Sequence, residues 1–172
     1  MNKPFLLLFL LLFLNSRVNA QSKIPITDSF EVKGEIKNPQ TVSISMINGF
    51  PMHDLKDITT VNHLGKTMSV IHGVKGVLLK DVLKGIDLNT ATPREIYGIY
   101  VECVASDGYK TVFTWNEIFN SSRGDNIYII TEKEGKTLAA TDDRIAILDI
   151  SEPGKGHVNI KGLRELNIQP VK

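Results

Sequence analysis

Period-two alternation of apolar and polar positions recurs along the chain and predicts a protein built mainly from short strands. Phe30, Val32 and Gly34 alternate with Glu31, Lys33 and Glu35, which predicts a strand over Phe30–Ile36 that Asn38-Pro39 breaks. Val42–Ser45 reads as another strand, and Ile58–Asn62 with Lys66–His72 flank Leu64-Gly65 as a hairpin. The run IYGIYVECV is dense in β-branched and aromatic residues and predicts a strand whose Val101, Cys103 and Ala105 share an apolar face. Asp107-Gly108 follows as a turn pair in which both residues tolerate positive φ, and Lys110–Thr114 is the return strand. Ile127–Thr131, Ile145–Ile150 and Glu165–Ile168 complete the strands, with Glu134-Gly135 as a turn.

Helical signals are fewer and shorter. Val77, Leu78, Val82, Leu83 and Ile86 recur at helical spacing and predict one amphipathic helix ending near Gly85. Thr114-Trp115-Asn116-Glu117 has capping-box spacing and predicts a short helix there. Thr92-Pro93-Arg94-Glu95 has the same spacing, but the strand-like run behind it makes that cap read as accidental. Ile160–Leu163 reads as one helical turn. Many short strands with few short helices, not alternating as βαβ units, predict an α+β domain with a mixed β-sheet.

The first twenty residues stand apart from this pattern. Lys3 precedes an uninterrupted apolar run of ten residues, Phe5–Leu14, and Val18-Asn19-Ala20 ends in a small-residue cleavage pattern. Ten residues are too few to cross ~30 Å of hydrocarbon as a helix. The expectation is a cleaved signal peptide over 1–20 and a single exported domain over 21–172, periplasmic or secreted; the alternative is an uncleaved anchor. Without Lys3 and Arg17 the balance is 18 basic against 19 acidic residues, a net charge of −1 with no block of like charges. Nucleic acid and anionic membranes both call for a basic stripe, so neither is expected as a partner. Cys103 is the only cysteine. No internal disulfide is possible, and its strand-face position predicts a buried thiol acting as a small hydrophobe.

Four blocks, in order, resemble the molybdopterin-binding domain of the sulfite oxidase family. FEVKGEIKNP (Phe30–Pro39) resembles the opening strand, and GVLLKDVLKGI (Gly76–Ile86) the "GVPL-x-DLL-x-x-G" helix, with Val77-Leu78-Leu79 where the family usually has proline. ASDGYKTVFTWNEI (Ala105–Ile118) resembles the "A-x-DGY" stretch, and Asp142–Gln169 the closing "P-x-RLVVP…VK-x-L" segment. The resemblance covers nearly all of Phe30–Val171. It implies the family's fold, molybdopterin as a cofactor, and a periplasmic redox or protein partner. Catalytic members carry a molybdenum-binding cysteine before the GVPL helix. Here Ile58–Val74 holds none, and Cys103 lies one block later, so no metal-ligating residue is carried over.

The resemblance places a ligand crevice among Asp107, Tyr109, Arg144, His157 and Lys161. Each has a plainer reading: Asp107 and Tyr109 as a hairpin turn with the ring packed on the sheet, Arg144 as a surface ion pair, and the Lys155-Gly156-His157 loop and Lys161 as solvated cations. The four histidines, His53, His63, His72 and His157, lack metal-site spacing, although hairpin pairing could bring His63 and His72 together. No Gly-x-Ser-x-Gly elbow is present, and no catalytic residue is legible. Two functions follow: a non-catalytic module that binds a ligand or a protein partner, or a molybdopterin-dependent oxidoreductase or a subunit of one.

Overall fold

The structure is a computed structural model that describes residues 25–171 apart from His63, Ala91, Asp143 and residues 153–157. The expected signal peptide and His157 therefore lie outside the described residues. Two sheets face each other. The first has the order β2 (Gln40–Ser43), β1 (Ser29–Gly34), β13 (Leu163–Pro170), β7 (Ile99–Ala105), β8 (Lys110–Thr114). Its β1 and β13 run parallel, with Val32 opposite Leu166. Its other pairings are antiparallel, so the sheet is mixed as the sequence predicts.

The second sheet runs β12 (Val158–Ile160), β11 (Ala146–Asp149), β9 (Ile127–Lys133), β6 (Lys75–Leu78), β3 (Met52–Asp54), with β10 (Lys136–Thr137) beside β9. Phe30, Val101, Cys103 and Phe113 from the first sheet share one buried cluster with Val77, Ile129, Ile147 and Ile160 from the second. Among the described residues there are four short helices, α1 (Ile44–Ile47), α2 (Leu79–Leu83), α3 (Pro93–Ile96) and α4 (Trp115–Phe119); α1, α2 and α4 put Ile47, Leu79, Val82, Leu83 and Ile118 into the cluster. The far face of the first sheet is polar, with Lys33 paired to Glu165 at 2.9 Å and Lys110 to Glu102 at 3.0 Å. The far face of the second sheet is covered instead. The hairpin of β4 (Ile58–Val61) and β5 (Thr67–Ile71) lays Ile58 and Ile71 over Leu78, Tyr128, Ile130 and Leu148 as a second, smaller core.

Mixed sheets with a few short helices make an α+β fold, but several boundaries differ from the sequence reading. Residues 75–78 are a strand, and only Leu79–Leu83 is helical. A Cβ at Gly76 would lie 2.9 Å from the Ile129 carbonyl oxygen, so glycine lets β6 approach β9 and pairing overrides the helical spacing. Val77 then enters the main core and Leu78 the second one, a period of two. The second strand stops at Ser43, whose hydroxyl accepts from Met46 N at 3.4 Å and caps α1. The Thr92 cap is real: Thr92 N donates to Glu95 Oε2 at 2.9 Å, Pro93 opens α3, and β7 begins only at Ile99. Residues 160–163 are not a helical turn. Ile160 pairs with Ile147 in β11, and Gly162 at φ 63° reverses the chain into β13.

Candidate functional site

Three sequence blocks meet at one end of the first sheet through backbone hydrogen bonds. Between β7 and β8, Gly108 N donates to Ala105 O at 3.1 Å, and Asp107 Oδ1 accepts from Tyr109 N at 2.9 Å. Of the expected pair of turn residues only Gly108 takes positive φ, at 88°. Asp107 serves through its side chain instead. Ser106 N donates to Gly162 O at 2.8 Å, which brings in the turn carrying Lys161, and Leu163 N donates to Ile145 O at 2.7 Å, which brings in Arg144. The structure thus gathers Asp107, Tyr109, Arg144 and Lys161 at one end of the fold.

The details depart from the sequence reading. Tyr109 does not pack on the sheet: it is 53% exposed, as the residue after a turn at the sheet's rim. The ion pair expected of Arg144 exists, but its partner is the distant Asp28, with Nη1 to Oδ1 at 3.0 Å. The segment holding Asp28 straps this end, because Pro25 O also accepts from Ser106 Oγ at 2.9 Å and Asp28 O from Ile44 N at 3.1 Å. Arg144 takes φ 46°, a conformation that costs a non-glycine residue energy and that clusters at functional sites. It sits at the rim of a cleft between the β4–β5 hairpin and the second sheet, lined by Ile71, Val74, Ile130, Leu138 and Leu148 and offering about 30 Å³.

Cys103 is fully buried in the middle of β7, and burial, with Glu102 adding to it, pushes its thiol far above the ordinary value. His72 Nδ1 lies 2.7 Å from Asp57 Oδ2, and His63, the other half of the pair that hairpin pairing suggested, lies outside the described residues. His53 meets Tyr128 edge-on at 5.9 Å between ring centroids, and its Nε2 is buried without a hydrogen-bond partner among the described residues. Among the described residues no group of three or more His, Cys, Asp and Glu side chains could hold a metal ion.

The molybdenum cofactor implied by the resemblance does not fit the residues present. Its thiolate ligand would have to come from the one cysteine, which faces the core as a protonated thiol. The cleft beside Arg144 holds about 30 Å³, whereas ligands of that size occupy sites of ~300–1,000 Å³.

One charged cluster gave no sequence signal. Arg123 donates from Nε to Asp149 Oδ2 at 2.9 Å and from Nη1 to Glu117 Oε1 at 2.6 Å, and stands 5.1 Å above the Phe113 ring. Asp149 is buried. Its members lie on α4, a loop and β11, so no local spacing could have marked them. Every charge in it is paired, which makes it a clamp between the two sheets.

A two-sheet α+β scaffold with short helices, and a polar convergence at one end, is the class these features define. No family model matches the chain, and no curated protein matches it. Among solved structures it is similar to the crystal structure of the sulfane dehydrogenase SoxCD from Paracoccus pantotrophus, with a TM-score of 0.62 and 12% identity over 86% of this chain. The match spans 40% of the other chain, and at that identity it shows the fold alone.

Proposed function

We propose that the chain is an exported, non-catalytic binding module on the molybdopterin-domain scaffold of the sulfite oxidase family, with 21–172 as its domain. The observation that carries this reading is the burial of Cys103, which leaves the scaffold without a thiolate at any surface cleft. The binding surface is the end where Asp107, Tyr109, Arg144 and Lys161 converge, and its occupant is a small anionic ligand or an acidic segment of a protein partner. The strained backbone of Arg144 supports that placement. An occupant would displace Asp28, which is 71% exposed on its side chain and weakly held, from the guanidinium.

A second reading, a subunit of a molybdopterin-dependent oxidoreductase whose metal ligands come from elsewhere, is favoured by the likeness to a sulfane dehydrogenase. Metal and pterin analysis of the protein purified from its native compartment separates the two. We expect no stoichiometric molybdenum; one molybdenum per chain would overturn the first reading. Arg144→Ala or Lys161→Ala should weaken capture of the native ligand or partner by about tenfold or more, the worth of a charge-assisted hydrogen bond. The melting temperature should stay nearly unchanged.

A further inference from the structure

The opposite end of the first sheet carries a larger opening. Successive residues of β7 carry the chain about 20 Å from the Asp107 turn to Ile99, so the two ends are separate places on the molecule. Here an open groove of about 440 Å³ is lined by Glu35, Asn89, Thr90, Arg94, Gly98 and Pro170. Its walls come from three stretches tied by backbone bonds. Asn89 N donates to Glu35 O at 2.9 Å, Ile36 bridges Leu88, and Val171 N donates to Gly98 O at 2.7 Å. The groove is therefore part of the fold's framework and falls within the ~300–1,000 Å³ of small-molecule sites.

The groove carries charges of both signs. Glu95 spends its carboxylate on the Thr92 cap, at 2.9 Å to Thr92 N. Glu35 and Arg94 line the same groove, and neither side chain has an ion-pair or hydrogen-bonding partner among the described residues. Two opposite charges that share a groove without touching leave a gap that a molecule with one charge of each sign would close. Ile99, Pro170 and Val171 add apolar wall, while the Asn89 amide and Thr90 hydroxyl supply neutral hydrogen bonds.

We propose that this groove binds a small zwitterion, a free α-amino acid or dipeptide with an aliphatic side chain, its ammonium on Glu35 and its carboxylate on Arg94. The site is independent of the Arg144 end. The pairing makes the two ends of the ligand separately testable, because blocking an end removes the same bond as removing its protein partner.

Isothermal titration of the folded protein with leucine, alanyl-leucine, N-acetyl-leucine and leucinamide provides the test. Leucine or the dipeptide should bind. The acetylated form, without an ammonium, and the amide, without a carboxylate, should each bind roughly tenfold or more weakly. Glu35→Gln should abolish the preference over the acetylated form only, and Arg94→Gln the preference over the amide only. Both groove residues have side chains free of structural bonds, so melting temperatures should stay near the wild-type value. Absence of heat from all four probes at about 10 mM, a concentration that reveals even millimolar affinity, would overturn the proposal. So would binding that both substitutions leave intact.

Discussion

Cys103 is the residue whose surroundings say most about the protein's chemistry. Val101 and Ala105 lie beside it on the same face, Leu166 stands opposite it in β13, and all are buried. A thiol held there stays protonated at neutral pH, and thiolate, not thiol, is the nucleophile and metal ligand. A thiol reagent at neutral pH should label it about a thousandfold more slowly in the native protein than in denaturant, since reaction must wait for opening. Rapid native-state labelling would show a thiolate exposed to solvent and would remove the main support for a non-catalytic reading. Gly34 shows a different residue-scale constraint. It sits at φ 104°, and a Cβ there would stand 2.0 Å from Ile168 O, so no side chain fits where β1 leaves its partner β13.

At the scale of elements, the α4 cap is where local sequence and tertiary structure agree most closely. Glu117 N donates to Thr114 Oγ1 at 3.1 Å while Thr114 N donates to Glu117 Oε2 at 2.8 Å, as the spacing predicts. Burial alone would raise the Glu117 carboxyl, but the Thr114 hydrogen bonds and Arg123 together hold it below its ordinary value. A depressed carboxyl contributes stability that is fully present above the unfolded value of about 4.3 and is lost as pH falls through the folded value. Urea unfolding should therefore show wild type losing stability below about pH 4.3, and Glu117→Gln losing less over that interval. Thr114→Ala should cost about 1 kcal/mol at neutral pH, with a range of about 0.5–2, measured by the same method. A helix of five residues cannot hold itself together in water, so α4 depends on this cap and on burial of Ile118.

At the scale of the whole molecule, the two cores give each segment a place. The hairpin of β4 and β5 uses one face on the second core, while Met68 and Val70 on the other are 66% and 40% exposed. Among the described residues no helix is long and apolar enough to cross a membrane. The proposed export rests on the leader pattern of residues 1–20. N-terminal sequencing of the protein recovered from the periplasm or medium should begin at or near Gln21; recovery of the full-length chain with the membrane would refute export.

Local chemistry by itself determined the strands with clean alternation, the DGY turn, the Thr114 cap and the burial of Cys103. Each depends on neighbours within a few residues, where backbone geometry and side-chain period act directly. Where two local signals competed, the sequence was ambiguous. Residues 75–83 carry apolar positions compatible with helix or strand, and only the contact of Gly76 with β9 decided that the first four extend. The Thr92 cap lost, on paper, to the β-rich run behind it, because no local feature announced that Gly98 would separate helix from strand. Contacts between distant residues lay wholly beyond local reading. The Arg123 clamp, the Arg144–Asp28 pair across 116 positions and the groove between Glu35 and Arg94 join segments with no periodic relation. Their partners are set by how strands pair and sheets pack, and that pairing exists only once the chain has folded.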